Sequence, residues 1–307
     1  MGRPMQTVGK MGANMALRLV RGGHSVIGHS RTEATVRKAR DLGLEADTSL
    51  EAAIGVLPEP RIIWMMVPAG DPVDKTIATI KPMLAEGDII IDGGNSWYRD
   101  TLRRATELTD AGFGYVDCGT SGGIWGLDKG YSMMVGGDEQ VVEYLRPLFE
   151  TLAPAPDLGW GRVGPAGAGH FVKMIHNGIE YGVMQAYAEG FAIMKRKDQF
   201  YLDLHDVSRI WQHGSVVRSW LLDLIEEALR KDTDLADIAP FVPDSGEGRW
   251  TVQEAIDLDQ PAPIITHALI QRLRSRDEES FADRMLSVMR NQFGGHAVKR
   301  EEGTDGN

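Results

Sequence analysis

The chain has 307 residues, 42% hydrophobic and 25% charged, with 33 Lys and Arg against 44 Asp and Glu for a net charge of −11. That length suggests about two domains, and the apolar content suffices for cores that need no staples, which excludes disordered and fibrous classes. The acidic balance argues against nonspecific binding to nucleic acid or anionic lipid, no apolar run approaches the ~18 residues of a membrane span, the first residues lack a secretion signal's apolar core, and the single Cys118 offers neither an intrachain disulfide nor a Cys-based metal cluster, so a cytoplasmic protein without a metal is expected.

Near the N-terminus stands Thr7-Val8-Gly9-Lys10-Met11-Gly12, followed by a helical pattern with Met11, Met15 and Leu19 on one face. Gly9 and Gly12 fill the second and third places of a G-x-G-x-x-G dinucleotide fingerprint, but Thr7 stands where the first glycine makes the tight turn. The stretch before it, Gly2 to Gln6, reads as a poor buried strand because Pro4 removes a ladder donor. Gly9, Lys10, Met11 and Gly12 are the candidate cofactor-binding residues of this segment. The next strand, Ser25 to His29, ends in Ser30-Arg31-Thr32. An NAD site usually places an acid there for the ribose hydroxyl, whereas an arginine suits a 2′-phosphate, so the pattern leans to NADP over NAD.

Two strands, Arg61 to Val67 stopped by Pro68 and Asp88 to Asp92 stopped by Gly93-Gly94, are apolar almost throughout, as strands buried on two faces are. Strands are also expected at 115–118 and 132–135, with helices near 98–111 and 138–151. This alternation predicts an α/β Rossmann-like domain with a doubly wound parallel sheet over residues 1–163. After Gly164-Pro165-Ala166-Gly167-Ala168-Gly169, read as a hinge, strand signals cease. Helical patterns near 170–195, 205–231, 251–258 and 264–289 predict an all-α domain over 164–307, ending in a polar tail.

Within the first of those helices Lys173, His176, Asn177 and Glu180 stand at i, i+3, i+4 and i+7, which places them on one face. A polar stripe is ordinarily a solvated face. This one adjoins the domain junction, where clefts form, and it supplies a lysine that burial can turn into a base and a carboxyl group that can act as an acid.

Together the residues resemble the 6-phosphogluconate dehydrogenase family, in its shorter form. The resemblance rests on six stretches in order: Gly93-Gly94-Asn95-Ser96, Thr120-Ser121-Gly122-Gly123, Lys173 to Tyr181, Gly214 to Ser219, Gly248-Arg249-Trp250-Thr251 and Arg290 to His296. It implies oxidative decarboxylation of 6-phosphogluconate to ribulose 5-phosphate without a metal. Lys173 would be the base at the substrate's 3-hydroxyl and Glu180 the acid at carbon 1 of the enediol that follows decarboxylation, with His176 and Asn177 beside them. The resemblance further implies that Asn95, Ser121, Gly122, Gly123, His176 and Asn177 hold the sugar acid, and that Tyr181, Arg218, Arg290 and His296 hold its phosphate. Val67, Pro68, Ala69 and Asn95, after the strand containing Met65, would cradle the cofactor. It implies a homodimer or homotetramer whose tail, with Arg290 and His296, reaches a neighbour's site.

The sequence departs from the family at Thr7, at the weak first strand, and at Ser245-Gly246-Glu247-Gly248-Arg249-Trp250, where longer members carry a phosphate-binding lysine. Two alternatives stand beside this reading: another β-hydroxyacid dehydrogenase, such as one acting on 3-hydroxyisobutyrate, and a dinucleotide- or phosphosugar-binding protein with little catalysis.

Overall fold

A computed structural model describes residues 4–7, 10–294 and 297–299. Eight strands form one sheet in the order β3-β2-β1-β4-β5-β6-β7-β8. They are β1 (Pro4–Thr7), β2 (Ile27–His29), β3 (Glu45–Asp47), β4 (Ile62–Met65), β5 (Ile89–Asp92), β6 (Gly114–Ser121), β7 (Ser132–Gly137) and β8 (Trp160–Gly164). Seven helices join them: α1 (Lys10–Arg21), α2 (Glu33–Asp41), α3 (Leu50–Gly55), α4 (Asp71–Ile80), α5 (Tyr98–Thr109), α6 (Gly126–Lys129) and α7 (Glu139–Leu152). Every neighbouring pair is parallel except β6 with β7, whose antiparallel register pairs Gly119 with Met134.

The apolar runs are explained by two cores, one on each face of the sheet. Along β4, Ile62 and Trp64 enter the core that holds Met15, Leu19, Val116 and Phe149, while Ile63 and Met65 enter the one that holds Ile80, Ile90, Leu108 and Tyr115. A strand buried on both sides has no polar face to show, hence no alternation.

The first strand corrects the sequence reading. Pro4–Thr7 lies inside the sheet, paired parallel to β2 on one side and to β4 on the other. Proline is tolerated because it is the strand's first residue, where a missing N–H costs the ladder least. The chain order reverses between β1 and β4, which opens the crevice at the carboxyl ends of the strands where doubly wound sheets bind ligands. Strands β3 and β8 were not expected. Each lies at an edge of the sheet, and exposed residues such as Glu45 and Arg162 erase their apolar signal.

The remaining helices are α8 (Ala168–Lys195), α9 (Leu204–Trp211), α10 (Trp220–Lys231), α11 (Glu247–Asp257), α12 (Pro263–Arg274) and α13 (Phe281–Gly294). Two expected helices are each broken in two. The 205–231 segment breaks where Gly214 adopts φ 71° and the Ser219 hydroxyl caps α10 by accepting from the Leu222 amide. The 264–289 segment breaks between Arg274 and Phe281.

Two compact units emerge. One comprises residues 1–181 with 246–262, and the other 182–245 with 263–307. The sequence reading instead divided the chain after residue 163. The difference arises because the first half of α8 lies directly on the sheet and α11 packs on α8 and α5. Gly164 to Gly169 is accordingly a packed joint: a Cβ on Gly169 would lie 2.5 Å from the Met134 carbonyl oxygen and 2.7 Å from that of Asp117. In the second unit, Phe191 meets Trp211 edge-on at 5.7 Å, and the Tyr187 hydroxyl lies 2.9 Å from that of Ser219.

Candidate active site

The site is built on α8 and begins with what fixes that helix. Fully buried Asp117 on β6 accepts from the Gly167 amide at 2.7 Å and the His170 amide at 2.8 Å, so a carboxylate caps the positive end of the helix. Below it the backbones of sheet and helix nearly touch. A Cβ on Gly119 would lie 2.3 Å from Lys173 Cβ and 2.8 Å from the Gly169 carbonyl oxygen, so only glycine permits this approach. His170, one turn before the lysine, is held by the Thr101 hydroxyl at 2.8 Å from its Nδ1.

Above this floor the four stripe residues meet. Lys173 Nζ donates to Asn177 Oδ1 at 2.6 Å and lies 3.5 Å from His176 Nδ1. The same ring nitrogen is 3.2 Å from Asn177 Oδ1 and 3.8 Å from Glu180 Oε2. Lys173 and Asn177 are buried, whereas His176 and Glu180 are half-buried and open to a ligand. Burial pushes the Lys173 ammonium below its ordinary value, and the charges of Glu180 and Glu247 pull it part of the way back. A lysine so placed gives up its proton more readily than a surface lysine.

Helix α11 packs beside the stripe. The Thr251 hydroxyl donates to the Met174 carbonyl oxygen at 2.9 Å, and a Cβ on Gly178 would lie 2.6 Å from Thr251 Cγ2. The Tyr181 ring is buried against Gly248, where a Cβ would come within 2.5 Å of it. Helix α11 is tied in turn to α5. Tyr98 donates to Glu254 at 2.8 Å, Arg99 pairs with Asp257 at 2.5 Å, and Trp97 stacks on Trp250 with ring centres 6.3 Å apart.

Asn95 is exposed on the turn after β5. Buried Asp92 shapes that turn by accepting from the Gly94 amide and, at 2.7 Å, from the Ser96 hydroxyl. A Cβ on Gly94 would lie 2.7 Å from the Val67 carbonyl oxygen, so the Asn95 turn and the Val67-Pro68-Ala69 segment abut at the ends of β5 and β4. Ser121 ends β6, two residues past the glycine under Lys173, and Gly122 and Gly123 follow at φ 131° and 51°. That conformation lets backbone N–H groups turn toward a ligand.

The remaining candidates are scattered. Met11 and buried Gly12 lie in the first turn of α1, which Lys10 begins and which carries no acidic residue; Gly9 lies outside the described residues. Ser30, Arg31 and Thr32 lie between β2 and α2, with Arg31 and Thr32 exposed. Arg218 and Arg290 are exposed residues of the second unit, and His296 lies outside the described residues. Among the described residues, no group of three or more His, Cys, Asp or Glu could hold a metal, and no helix is long and apolar enough to cross a membrane. Sequence reasoning missed Asp117, Gly119 and Glu247. A glycine inside an apolar strand pattern was the available signal for Gly119, while Asp117 and Glu247 carry none without the fold.

Comparison with known proteins decides the family. The NAD-binding domain of 6-phosphogluconate dehydrogenase matches residues 7–161, and the C-terminal domain of the same enzyme matches residues 169–304. The chain belongs to the 6-phosphogluconate dehydrogenase family. The NAD(+)-dependent, decarboxylating 6-phosphogluconate dehydrogenase of Haloferax volcanii is 41% identical over 96% of this chain and 97% of its own length. The structure of Plasmodium falciparum 6-phosphogluconate dehydrogenase, described with NADP+ and with 6-phosphogluconate, superposes with a TM-score of 0.82 at 29% identity, covering 99% of this chain and 67% of that one. Mycobacterium tuberculosis 3-hydroxyisobutyrate dehydrogenase shares the fold, with a TM-score of 0.71 at 21% identity over 89% of this chain and 93% of that one.

As a member of the 6-phosphogluconate dehydrogenase family, the chain is an NAD(P)-dependent oxidoreductase of the decarboxylating type. The residues present fit a dinucleotide. The first turn of α1, free of acidic residues, follows β1 at the sheet's switch point, where a helix N-terminus favours a pyrophosphate.

Proposed function

We propose that this chain oxidises and decarboxylates 6-phosphogluconate to ribulose 5-phosphate, with NADP preferred over NAD. The observation that carries the reading is the buried Lys173 in hydrogen-bond contact with Asn177, beside His176 and Glu180. Bound NADP or NAD supplies the acceptor for the hydride that leaves carbon 3. Neutral Lys173 takes the proton of the 3-hydroxyl as that hydride departs, leaving a 3-keto acid. The lysine, now an ammonium, donates to the new ketone oxygen, so the electron pair released with carbon dioxide is received there as an enol. No metal is called for, since a β-keto acid contains its own electron sink. Glu180 then delivers a proton to carbon 1 of the enediol, the substrate's former carbon 2, and the enediol becomes the product ketose.

Asn177 fixes the lysine, and with His176, Asn95 and the Ser121-Gly122-Gly123 turn it orients the sugar acid. Tyr181, Arg218, Arg290 and His296 are assigned to the phosphate. An arginine fork suits phosphate oxygens, and these cations supply what an acidic chain otherwise lacks. Arg290 and His296 act on a neighbouring subunit, which makes the working protein a homodimer or homotetramer in the cytoplasm. The lean to NADP rests on Arg31 and on the absence of an acid at residues 30–32.

Initial rates with 6-phosphogluconate at equal NADP and NAD concentrations, following cofactor reduction and carbon dioxide together, test the reading. Faster reduction with NADP and one carbon dioxide per turnover is expected. Dominant use of NAD overturns the cofactor preference alone, and no reduction with either overturns the activity.

A further inference from the structure

Helix α1, which begins at the proposed pyrophosphate site, carries two polar residues that the reaction above does not use. Asn14 and Arg18 stand one turn apart and so share a face. Arg18 is half-buried, and all three nitrogens of its guanidinium donate to main-chain carbonyl oxygens: Nε to Thr151 at 3.0 Å and Leu152 at 3.1 Å, Nη2 to Ala153 at 2.6 Å, and Nη1 to Leu127 at 3.1 Å. Three of those acceptors lie at the end of α7, whose own last turn has no basic residue, so Arg18 supplies the cation that a helix C-terminus favours. The fourth lies on α6, in the connection that follows the Ser121-Gly122-Gly123 turn. Asn14 Nδ2 lies 3.5 Å from the Ile124 carbonyl oxygen of the same connection. The connection packs on the fully buried Tyr131 ring: a Cβ on Gly126 would come within 2.0 Å of it and one on Gly122 within 3.1 Å. The Tyr131 amide in turn donates to the Leu152 carbonyl oxygen that Arg18 also engages.

We propose that Arg18 is a positioning residue for the substrate turn: by bridging the end of α7 to Leu127 it fixes the connection after Ser121-Gly122-Gly123 to the helix whose first turn receives the dinucleotide, with Asn14 as a second tie at Ile124. This rests on the assignment of Ser121, Gly122 and Gly123 to the sugar acid. A helix cap alone needs one positive charge near the carbonyl oxygens of α7, and a lysine would meet that need. Reaching α7 and α6 from a single side chain takes the planar fork of an arginine. The consequence is preorganisation. Gly122 and Gly123 adopt φ 131° and 51° without side chains to hold them, so an untethered turn would have to be ordered at each binding event, at a cost in affinity. Arg18 follows Lys10 by eight residues, about 12 Å of helix, so one rigid rod carries both the cofactor turn and the anchor of the substrate turn.

Hydrogen exchange of the whole protein without ligand, read by peptide mass spectrometry, tests the anchor. Arg18→Lys keeps a positive charge at the end of α7, but its single ammonium cannot also span to Leu127. The amides of residues 123–130 should exchange about tenfold faster in that variant, while those of β6 keep their wild-type protection. Asp128→Asn, which breaks the exposed pair of Asp128 with Arg21 at 3.7 Å on the same connection, should leave exchange unchanged. In turnover, Arg18→Lys should raise KM for 6-phosphogluconate about tenfold, with the dissociation constant of NADPH, read from its fluorescence, within about twofold of wild type. Unchanged exchange at residues 123–130 in Arg18→Lys overturns the proposal. An equal loss of affinity for 6-phosphogluconate and NADPH also overturns it, since the damage would then lie in α1 itself. If Arg18→Lys does not fold, Asn14→Ala removes the tie at Ile124 with the α7 cap intact. Faster exchange over residues 123–130 is expected there too, and unchanged exchange would show that α1 does not hold the connection. A wild-type protein that fails to turn over 6-phosphogluconate overturns the substrate reading alone, because the exchange is measured without substrate.

Discussion

At the scale of single residues, the proposed chemistry turns on a lysine held where water cannot fully solvate its charge. The neutral amine is the active form of the proposed base, so kcat/KM should fall as pH drops through the folded value of Lys173, which burial places below 10.5. Replacing Lys173 by alanine should lower the rate of 6-phosphogluconate oxidation about 10³-fold and carbon dioxide release equally, since both depend on its proton. Glu180→Gln should separate the steps. Cofactor reduction continues in a first turnover while formation of the final ketose slows about 10²-fold, as quench-flow with product analysis would resolve. Equal loss of both steps in the Glu180 variant would remove the distinction between the two proton carriers.

At the scale of elements, α8 gets its place from the strand beneath it. Gly119→Ala inserts a methyl group 2.3 Å from Lys173 Cβ, so the helix must lift or the strand must sink. A cost of about 1–3 kcal/mol is expected from overpacking, visible as a lower Tm, with activity falling further than stability because the lysine itself is displaced. Retained wild-type rates in that variant would show that the contact yields freely. The same elements show which parts of the molecule could be read from sequence. The lysine stripe was legible because a 3.6-residue period needs no partner to define a face, and β4 and β5 because burial on both sides leaves unbroken apolar runs. Strand β1 was illegible because Pro4 disguised a strand whose pairing begins at that residue. The packing of Thr251 on Met174 was illegible because 76 intervening residues, counted from 175 to 250, separate two positions that only the return of α11 brings together.

At the scale of the whole molecule, the second unit carries its apolar residues outward. Val216 is fully exposed, and Ile193, Phe281 and Ile264 are each about 70% exposed, apolar area that contact with a second copy could cover. This favours the proposed homo-oligomer and makes it measurable. Sedimentation equilibrium should give at least two chains per particle, and activity per chain should fall on dilution through the dissociation range, with KM for 6-phosphogluconate rising as the phosphate loses Arg290 and His296 of the neighbour. A monomer of full activity at nanomolar concentration would assign those residues to their own chain or to no role. The 6-phosphogluconate reading itself was visible at this scale only through the order of six short stretches. Arg218 and Arg290 are exposed arginines of the second unit, and their assignment to the phosphate rests on the family resemblance.

The glycine floor under α8 also restricts how the gene can change in length. Each residue of an α-helix advances by about 100° around its axis, and the contacts at Gly169 and Gly119 fix the phase at which Lys173, Asn177 and Gly178 pass the sheet and α11. Deleting one residue between Gly169 and Lys173 would turn everything beyond it by nearly a third of a revolution, carrying the amine off its asparagine and forcing the Gly178 position away from Thr251. The exposed stretch between α10 and α11 has no such phase to keep. Insertions and deletions should accumulate there among descendants of this chain, while the length from Asp117 to Tyr181 stays constant.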